Sequence, residues 1–188
     1  MFKEEIEKTV TVLRDGGVIL YPTDTIWGIG CDATNPKAVE KIFAIKKRPG
    51  SQSMIILLHD VGMIKDYASD VPEIAYDLIS NTRQPLTIIY QNAKNLATNI
   101  IAEDGSIAIR IVEKPFVAQL IEAFGKPIVS TSANISGRPA PIIFNKISDI
   151  IINGVDYVVN YDRDIIEGTQ PSMIIRFNKN NDFTILRD

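Results

Sequence analysis

The sequence predicts an α+β (mixed α/β) fold in three layers, with a twisted sheet of mixed parallel and antiparallel strands flanked by helices. Two observations predict it. Helix-period segments alternate with short apolar, strand-like segments through most of the chain, the pattern of helices packed on a sheet. Strand-like segments then gather near the end, and their pairing makes the sheet mixed rather than purely parallel. With 188 residues, 45% of them hydrophobic, the chain can bury one substantial core. It shows no internal repeat, low-complexity tract or linker, so one domain is expected over residues 1–188.

Residues 4–14 place Ile6, Val10 and Leu13 at helical spacing, and Gly16-Gly17 stops them. Val18–Tyr21 is a short apolar strand ended by Pro22. Asn35-Pro36 opens a second helix as cap and first residue, with Val39, Ile42 and Phe43 inward; Pro49 and Gly50 end it near Lys47. Met54–Leu58 reads as a buried strand, and helical segments follow near 60–66 and 72–80. Pro85 introduces a strand at Leu86–Tyr90, and Ile107–Ile111 gives another. Pro115–Phe124 is a helix closed by Gly125, and Pro127–Val129 begins a strand running into Ser130. Asn145–Ile152 reads as helical, and strands near Tyr157–Val159, Met173–Phe177 and Phe183–Leu186 finish the chain.

Composition excludes several classes. No apolar run approaches the ~20 residues that cross a bilayer. The start, Met1 to Glu5, is charged and unlike a signal peptide, so a cytoplasmic protein without membrane association is expected. One cysteine, Cys31, and one histidine, His59, cannot build a disulfide framework or a Cys/His zinc site, and no protein-held metal is expected. A net charge of −3 argues against a general nucleic-acid binder, so any site for a polyanion has to be local.

Four polar clusters follow apolar segments. Pro22-Thr23-Asp24-Thr25 offers hydroxyls and a carboxylate that could hold an amine and a carboxylate of a small substrate, or could simply satisfy a turn. Lys46-Lys47-Arg48-Pro49 could clamp phosphates, with Arg48 presenting a planar fork, or could only face a helix dipole. Ser106-Ile107-Ala108-Ile109-Arg110 puts an arginine in an apolar strand, which is costly unless it meets a partner or ligand; exposure on an edge strand is the other account. Ser130-Thr131-Ser132-Ala133-Asn134-Ile135-Ser136-Gly137 is small and hydroxyl-rich, suited to approaching a phosphate, or a plain serine-rich loop. The chain has neither a GxxxxGK[ST] loop nor a GxGxxG fingerprint.

The order and spacing of these clusters discriminate better than any one alone. Tyr21-Pro-Thr-Asp-Thr-Ile-Trp-Gly-Ile-Gly, then Ile45-Lys-Lys-Arg-Pro, Ala108-Ile-Arg and Ser130-Thr-Ser-Ala-Asn-Ile-Ser-Gly closely resemble the YrdC/TsaC family. The likeness runs on to Pro171-Ser172 and Ile185-Leu186-Arg187. The family's Lys-x-Arg and later Ser-x-Asn are matched by Lys46, Arg48, Ser132 and Asn134.

The resemblance implies a single-domain, YrdC-like fold and an L-threonylcarbamoyladenylate synthase. Such an enzyme is a nucleotidyltransferase that joins L-threonine, bicarbonate or CO2, and ATP, releasing pyrophosphate, for tRNA modification. It implies that Thr25, Arg110, Ser130 and Ser172 contact threonine. Arg48, Ser106, Ser132 and Arg187, with Gln52, would contact ATP. Lys46, Arg48, Ser132 and Asn134 would be the catalytic set, with Lys46 and Asn134 at the nucleotide or the carbamate. Magnesium would accompany ATP, and tRNA and a threonylcarbamoyl-transferase complex would be partners.

Several positions depart from the family pattern. Trp27 stands for a tyrosine, Gly50-Ser51-Gln52-Ser53 for a loop with asparagine and proline, Leu57 for a threonine-contacting histidine, and Val112 for a proline. The likeness runs out near Arg187, and the extra domain of longer relatives is not expected. Two other readings are a non-enzymatic module binding double-stranded RNA or tRNA, and a YciO-like paralogue of unclear role, a branch that lacks the intact Lys-x-Arg and Ser-Ala-Asn pairs. A HypF-type fragment would bring zinc-finger cysteines that this chain does not have. The synthase reading requires Arg48, Arg110 and Arg187, far apart in sequence, to converge on one anion-binding cavity.

Overall fold

Helix α1 (Phe2–Arg14) buries Ile6, Val10 and Leu13 on one stripe, the face that their spacing predicts. The computed structural model describes residues 2–48, 54–165, 171–177 and 182–187. After α1 come β1 (Ile19–Tyr21), β2 (Gly28–Gly30), α2 (Pro36–Lys46), β3 (Ile55–Leu58), α3 (Ile64–Tyr67), β4 (Ala68–Asp70) and α4 (Glu73–Asn81). Then follow β5 (Leu86–Ala93), β6 (Ile107–Ile111), α5 (Pro115–Phe124), β7 (Ile128–Ser132), α6 (Asp149–Gly154), β8 (Tyr157–Val158), β9 (Met173–Phe177) and β10 (Phe183–Arg187).

The helix boundaries follow local chemistry. Asn35 caps α2, its side-chain oxygen accepting from the amides of Lys37 and Ala38, and Pro36 occupies the first turn where no amide is needed. At the other end Lys47 takes a left-handed conformation (φ 51°) that turns the chain away from the helix axis. Gly125 does the same for α5 at φ 79°, with its amide on the carbonyl of Ile121.

The strands form one mixed sheet in the order β10-β9-β5-β6-β3-β7-β2-β1-β8, with β4 pairing along β5. The β3–β6, β5–β9 and β1–β8 pairs are parallel and the remaining pairs antiparallel. One face packs Ile56, Leu58, Ile88, Ile107, Ile109 and Val129 against α2, α3, α4 and α6. The other packs Leu57 and Ile128 against α1 and α5. These are the three layers that the alternating pattern predicts.

Three details differ from the sequence reading. Residues 28–30 form a strand although two of the three are glycine, and at Gly30 the packing of the sheet admits no Cβ. A methyl at Gly30 would lie 2.6 Å from the carbonyl of Val129 and 2.7 Å from the Tyr21 ring. The short β4 also escapes the periodicity. The helix expected over 145–152 is broken: a 3-10 turn covers Phe144–Lys146, Ile147 is buried in extended backbone, and α6 restarts at Asp149.

Candidate functional site

Register builds the floor of the site. Strand partners project side chains to the same face. Ala108 and Arg110 of β6 lie beside Ile55 and Leu57 of β3 on one flank, and beside Ile89 and Thr87 of β5 on the other. Ile174 of β9 follows Thr87, and Ser130 of β7 follows Ile55. Helices α1 and α5 cover only part of this face. Beside them a cavity of about 660 Å³ opens, within the ordinary range for small-molecule sites. It lies over the face of the sheet rather than beyond the strand ends.

Arg48, Arg110, Arg138 and Arg187 line that cavity with Thr23, Thr25, Ser130, Thr131, Ser132, Asn134 and Ser172, and Trp27, Met54 and Ile142 supply apolar wall. No aspartate or glutamate is among the described lining residues. The convergence of Arg48, Arg110 and Arg187, required by the sequence reading, is present. Burial lowers the pKa of Arg48. Burial, and next the Arg110 charge, lower that of Arg187. A cavity in an acidic chain that gathers cations and hydroxyls, with no carboxylate among them, is built for an anion.

Thr25 and Arg110 meet at one end. Thr23 Oγ1 donates to the carbonyl of Ile26 (2.6 Å) and lies 3.0 Å from Thr25 Oγ1, so the turn after β1 does satisfy its own backbone. It also presents Thr25 to the Arg110 guanidinium, which donates to its hydroxyl at 3.4 Å and pairs with Asp24 at 3.0 Å. Arg110 is 4% exposed, so the strand arginine has a partner and does not face solvent. Its Nε is buried with no hydrogen-bond partner among the described residues. Across the floor, Ser172 Oγ lies 2.7 Å from Thr87 Oγ1. Arg187 donates twice to the Ser172 carbonyl, at 2.9 and 2.7 Å, and once to its hydroxyl, at 3.2 Å.

Lys46 and Asn134 form a brace. Lys46 is 2% exposed and does not line the cavity, contrary to its expected place at the nucleotide or the carbamate. It donates to the carbonyls of Ser132 (2.5 Å) and Asn134 (2.7 Å) and to Asn134 Oδ1 (3.3 Å). Burial, with the Arg48 charge second, pulls its pKa down to about 8, and the three acceptor oxygens oppose that pull. Ser132 Oγ bonds Asn134 Oδ1, and Asn134 Nδ2 donates to the Arg138 carbonyl at 2.5 Å. The dipole account of the basic cluster is therefore incomplete, since Lys46 ties α2 to the loop after β7.

Ser106 also departs from expectation. It is buried at the start of β6 and outside the lining, its hydroxyl on Asp104 at 2.5 Å. That bond, first among several causes, lowers the Asp104 pKa. Gln52 lies outside the described residues. Leu57 is fully buried beside Arg110, and His59 is not a lining residue. Trp27 is 3% exposed, its ring 4.8 Å from that of Phe144 in the apolar wall. Arg138 and Met54 were missed; for Arg138 the one available signal was a cation directly after the serine-rich run.

The family model Sua5_yciO_yrdC, described as "Telomere recombination", matches residues 11–188. The chain belongs to the Sua5/YciO/YrdC family. The threonylcarbamoyl-AMP synthase of Pseudoalteromonas translucida (strain TAC 125) is 35% identical to it over 172 residues, covering 90% of this chain and 91% of that protein. Among solved structures, P. abyssi Sua5 complexed with L-threonine superposes with a TM-score of 0.83 at 26% identity, over 97% of this chain. This chain spans about half, 53%, of that Sua5. E. coli YciO gives a TM-score of 0.85 at 25% identity, over the whole of this chain and 90% of that one. The family's fold is thus the mixed, helix-flanked sheet described above. Among the described residues no helix is long and apolar enough to cross a membrane.

Proposed function

We propose that the chain is a threonylcarbamoyl-AMP synthase, which makes threonylcarbamoyl-AMP and pyrophosphate from L-threonine, bicarbonate or CO2, and ATP, for tRNA modification. The observation that carries this is the meeting of Arg48, Arg110 and Arg187 with the hydroxyls of Thr25, Ser130, Ser132 and Ser172 in one lining, with no carboxylate among its described residues. An amino acid carboxylate and a polyphosphate are both anions, and this cavity has separate cations for each. Arg110, whose Nε has no hydrogen-bond partner among the described residues, suits the threonine carboxylate, with Thr25, Ser130 and Ser172 about it. Arg48, Ser132 and Arg187 suit the nucleotide. The synthase names carried by relatives at 31–35% identity agree with this assignment.

The chemistry has two steps. The threonine amine adds to CO2 and loses a proton, giving a carbamate; from bicarbonate the same bond forms with loss of water. A carbamate oxygen then attacks the α-phosphorus of ATP, and the bond to the β-phosphate oxygen breaks to release pyrophosphate. The described lining contains no histidine, aspartate or glutamate to serve as a strong base. Positioning, and stabilisation of charge by arginines held before the ligand arrives, supply the acceleration. Among the described residues no group of three or more His, Cys, Asp or Glu could cage a metal. Magnesium therefore fits as part of the nucleotide, on its phosphate oxygens, where it would neutralise charge. Bicarbonate, tRNA and a threonylcarbamoyl-transferase complex complete the proposed partners, in a cytoplasmic setting.

The test is pyrophosphate release from ATP, magnesium and bicarbonate with each amino acid in turn. Threonine-selective release is the expected result. Release without threonine, or RNA binding with no turnover, would replace this reading.

A further inference from the structure

The cations that line the cavity are not equivalent. Arg110 is paired with Asp24 and Thr25, and Arg187 is anchored on Ser172. Arg138 is exposed at the rim, and its guanidinium has no hydrogen bond or ion pair with any described residue. Its main chain, by contrast, is held. Its amide donates to the carbonyl of Ile135 at 3.0 Å, and its carbonyl accepts from Asn134 Nδ2 at 2.5 Å. Asn134 is itself bonded by Ser132 and Lys46. Gly137, at φ 79°, makes the turn immediately before it. The loop therefore fixes where the Arg138 side chain starts and leaves its fork open.

We infer that Arg138 is a further nucleotide-binding residue, whose guanidinium takes the terminal phosphates, the part of ATP that leaves as pyrophosphate. The inference rests on the nucleotide reading of this cavity. A nucleoside triphosphate carries several acidic groups, and besides the buried Arg110 the cavity is lined by Arg48, Arg187 and, at the exposed rim, Arg138. An arginine fork matches a phosphate in two directions at once, and one with no partner among the described residues gives up no bond to them to do so. A polynucleotide phosphate is the competing ligand. One rim cation on a chain of net charge −3 is a poor footprint for it. The brace also acquires a purpose: Lys46 and Asn134 hold the loop that aims Arg138.

The experiment measures ATP and AMP affinity of the full chain by titration calorimetry, for wild type, Arg138→Ala and Arg138→Lys. A charge-assisted phosphate bond predicts roughly tenfold weaker ATP binding in Arg138→Ala. AMP, which lacks the terminal phosphates, should change by less than about twofold. Arg138→Lys should fall between, since lysine keeps the charge and loses the fork. An exposed side chain makes folding a minor concern, and matching melting curves of the three proteins verify it. An unchanged ratio of ATP to AMP affinity overturns the inference, as does equal weakening of both. Loss of low-salt tRNA affinity alone assigns Arg138 to RNA instead. Wild type that binds no ATP defeats this inference and the synthase reading together; wild-type ATP affinity in Arg138→Ala defeats this inference only.

Discussion

Replacing Lys46 by methionine keeps the apolar length of the side chain and removes only the ammonium. In the folded protein that ammonium serves three oxygens, the Ser132 and Asn134 carbonyls at 2.5 and 2.7 Å and Asn134 Oδ1 at 3.3 Å. A buried acceptor left without its donor costs about 1–3 kcal/mol. Removing a charge held out of water, whose pKa burial has already lowered to about 8, returns part of that. The two short bonds dominate, and the net loss should be about 2–3 kcal/mol. For a chain of this size that is a fall of roughly 5–10 °C in melting temperature. The freed loop carries Ser132, Asn134 and Arg138, so ATP affinity should fall with stability. Threonine affinity should change less, because Thr25, Arg110 and Ser172 stand on other elements. Thermal unfolding, with separate titrations of ATP and threonine, reads all three. A variant that melts within about 1 °C of wild type would refute the brace. If it also lost turnover, the amine would have to act on the reactants themselves.

Three further outcomes are expected. Arg110→Met leaves Asp24 largely buried without its cation and should cost about 3 kcal/mol, the low end for a broken buried pair because Asp24 retains 14% exposure. Adding Asp24→Asn should recover much of that stability in urea unfolding but none of the threonine-dependent pyrophosphate release, which separates the structural from the binding role. Gly30→Ala forces a methyl to within 2.6 Å of a backbone carbonyl and 2.7 Å of an aromatic ring, and overpacking of this kind should cost about 3 kcal/mol by denaturant midpoint. The last concerns pH. The Lys46 pKa is lowered on folding from 10.5 to about 8, so between those values the unfolded chain binds more protons than the folded one. Wild type should therefore gain stability relative to Lys46→Met as pH rises through that window. Denaturant midpoints at the two ends measure it, and a relative loss would contradict the lowered pKa.

Much of this was legible because it is local. Asn35-Pro36 and Gly125 mark helix ends by conformation and capping, which need no knowledge of neighbours. An arginine amid Ile107-Ala-Ile-Arg-Ile demanded a partner, and Asp24 with Thr25 supplies it. What escaped depends on contacts between distant segments. Gly28–Gly30 gives no strand signal until the Val129 carbonyl and the Tyr21 ring are placed against it. Lys46 looks like one of three adjacent helix-end cations, and only packing against the loop 86 and 88 residues on singles it out as buried. Ser106 immediately precedes β6, four residues before Arg110, yet the carboxylate of Asp104 takes its hydroxyl.

The arrangement of charge links stability to function. Arg48 and Arg187 are both disfavoured as cations by burial, Arg187 also by Arg110, and the described lining residues include no carboxylate. Holding Arg48 and Arg187 as cations in this lining costs stability through burial, and at Arg187 also through repulsion by Arg110, a cost offset by the two apolar layers on either side of the sheet. A bound anion removes that cost. The same interaction that orders the substrates thus stabilises the protein, by an amount set by ligand concentration over Kd. Neutral analogues of the same shape would fill the cavity without relieving the repulsion, so charge, more than fit, is the property on which this site discriminates.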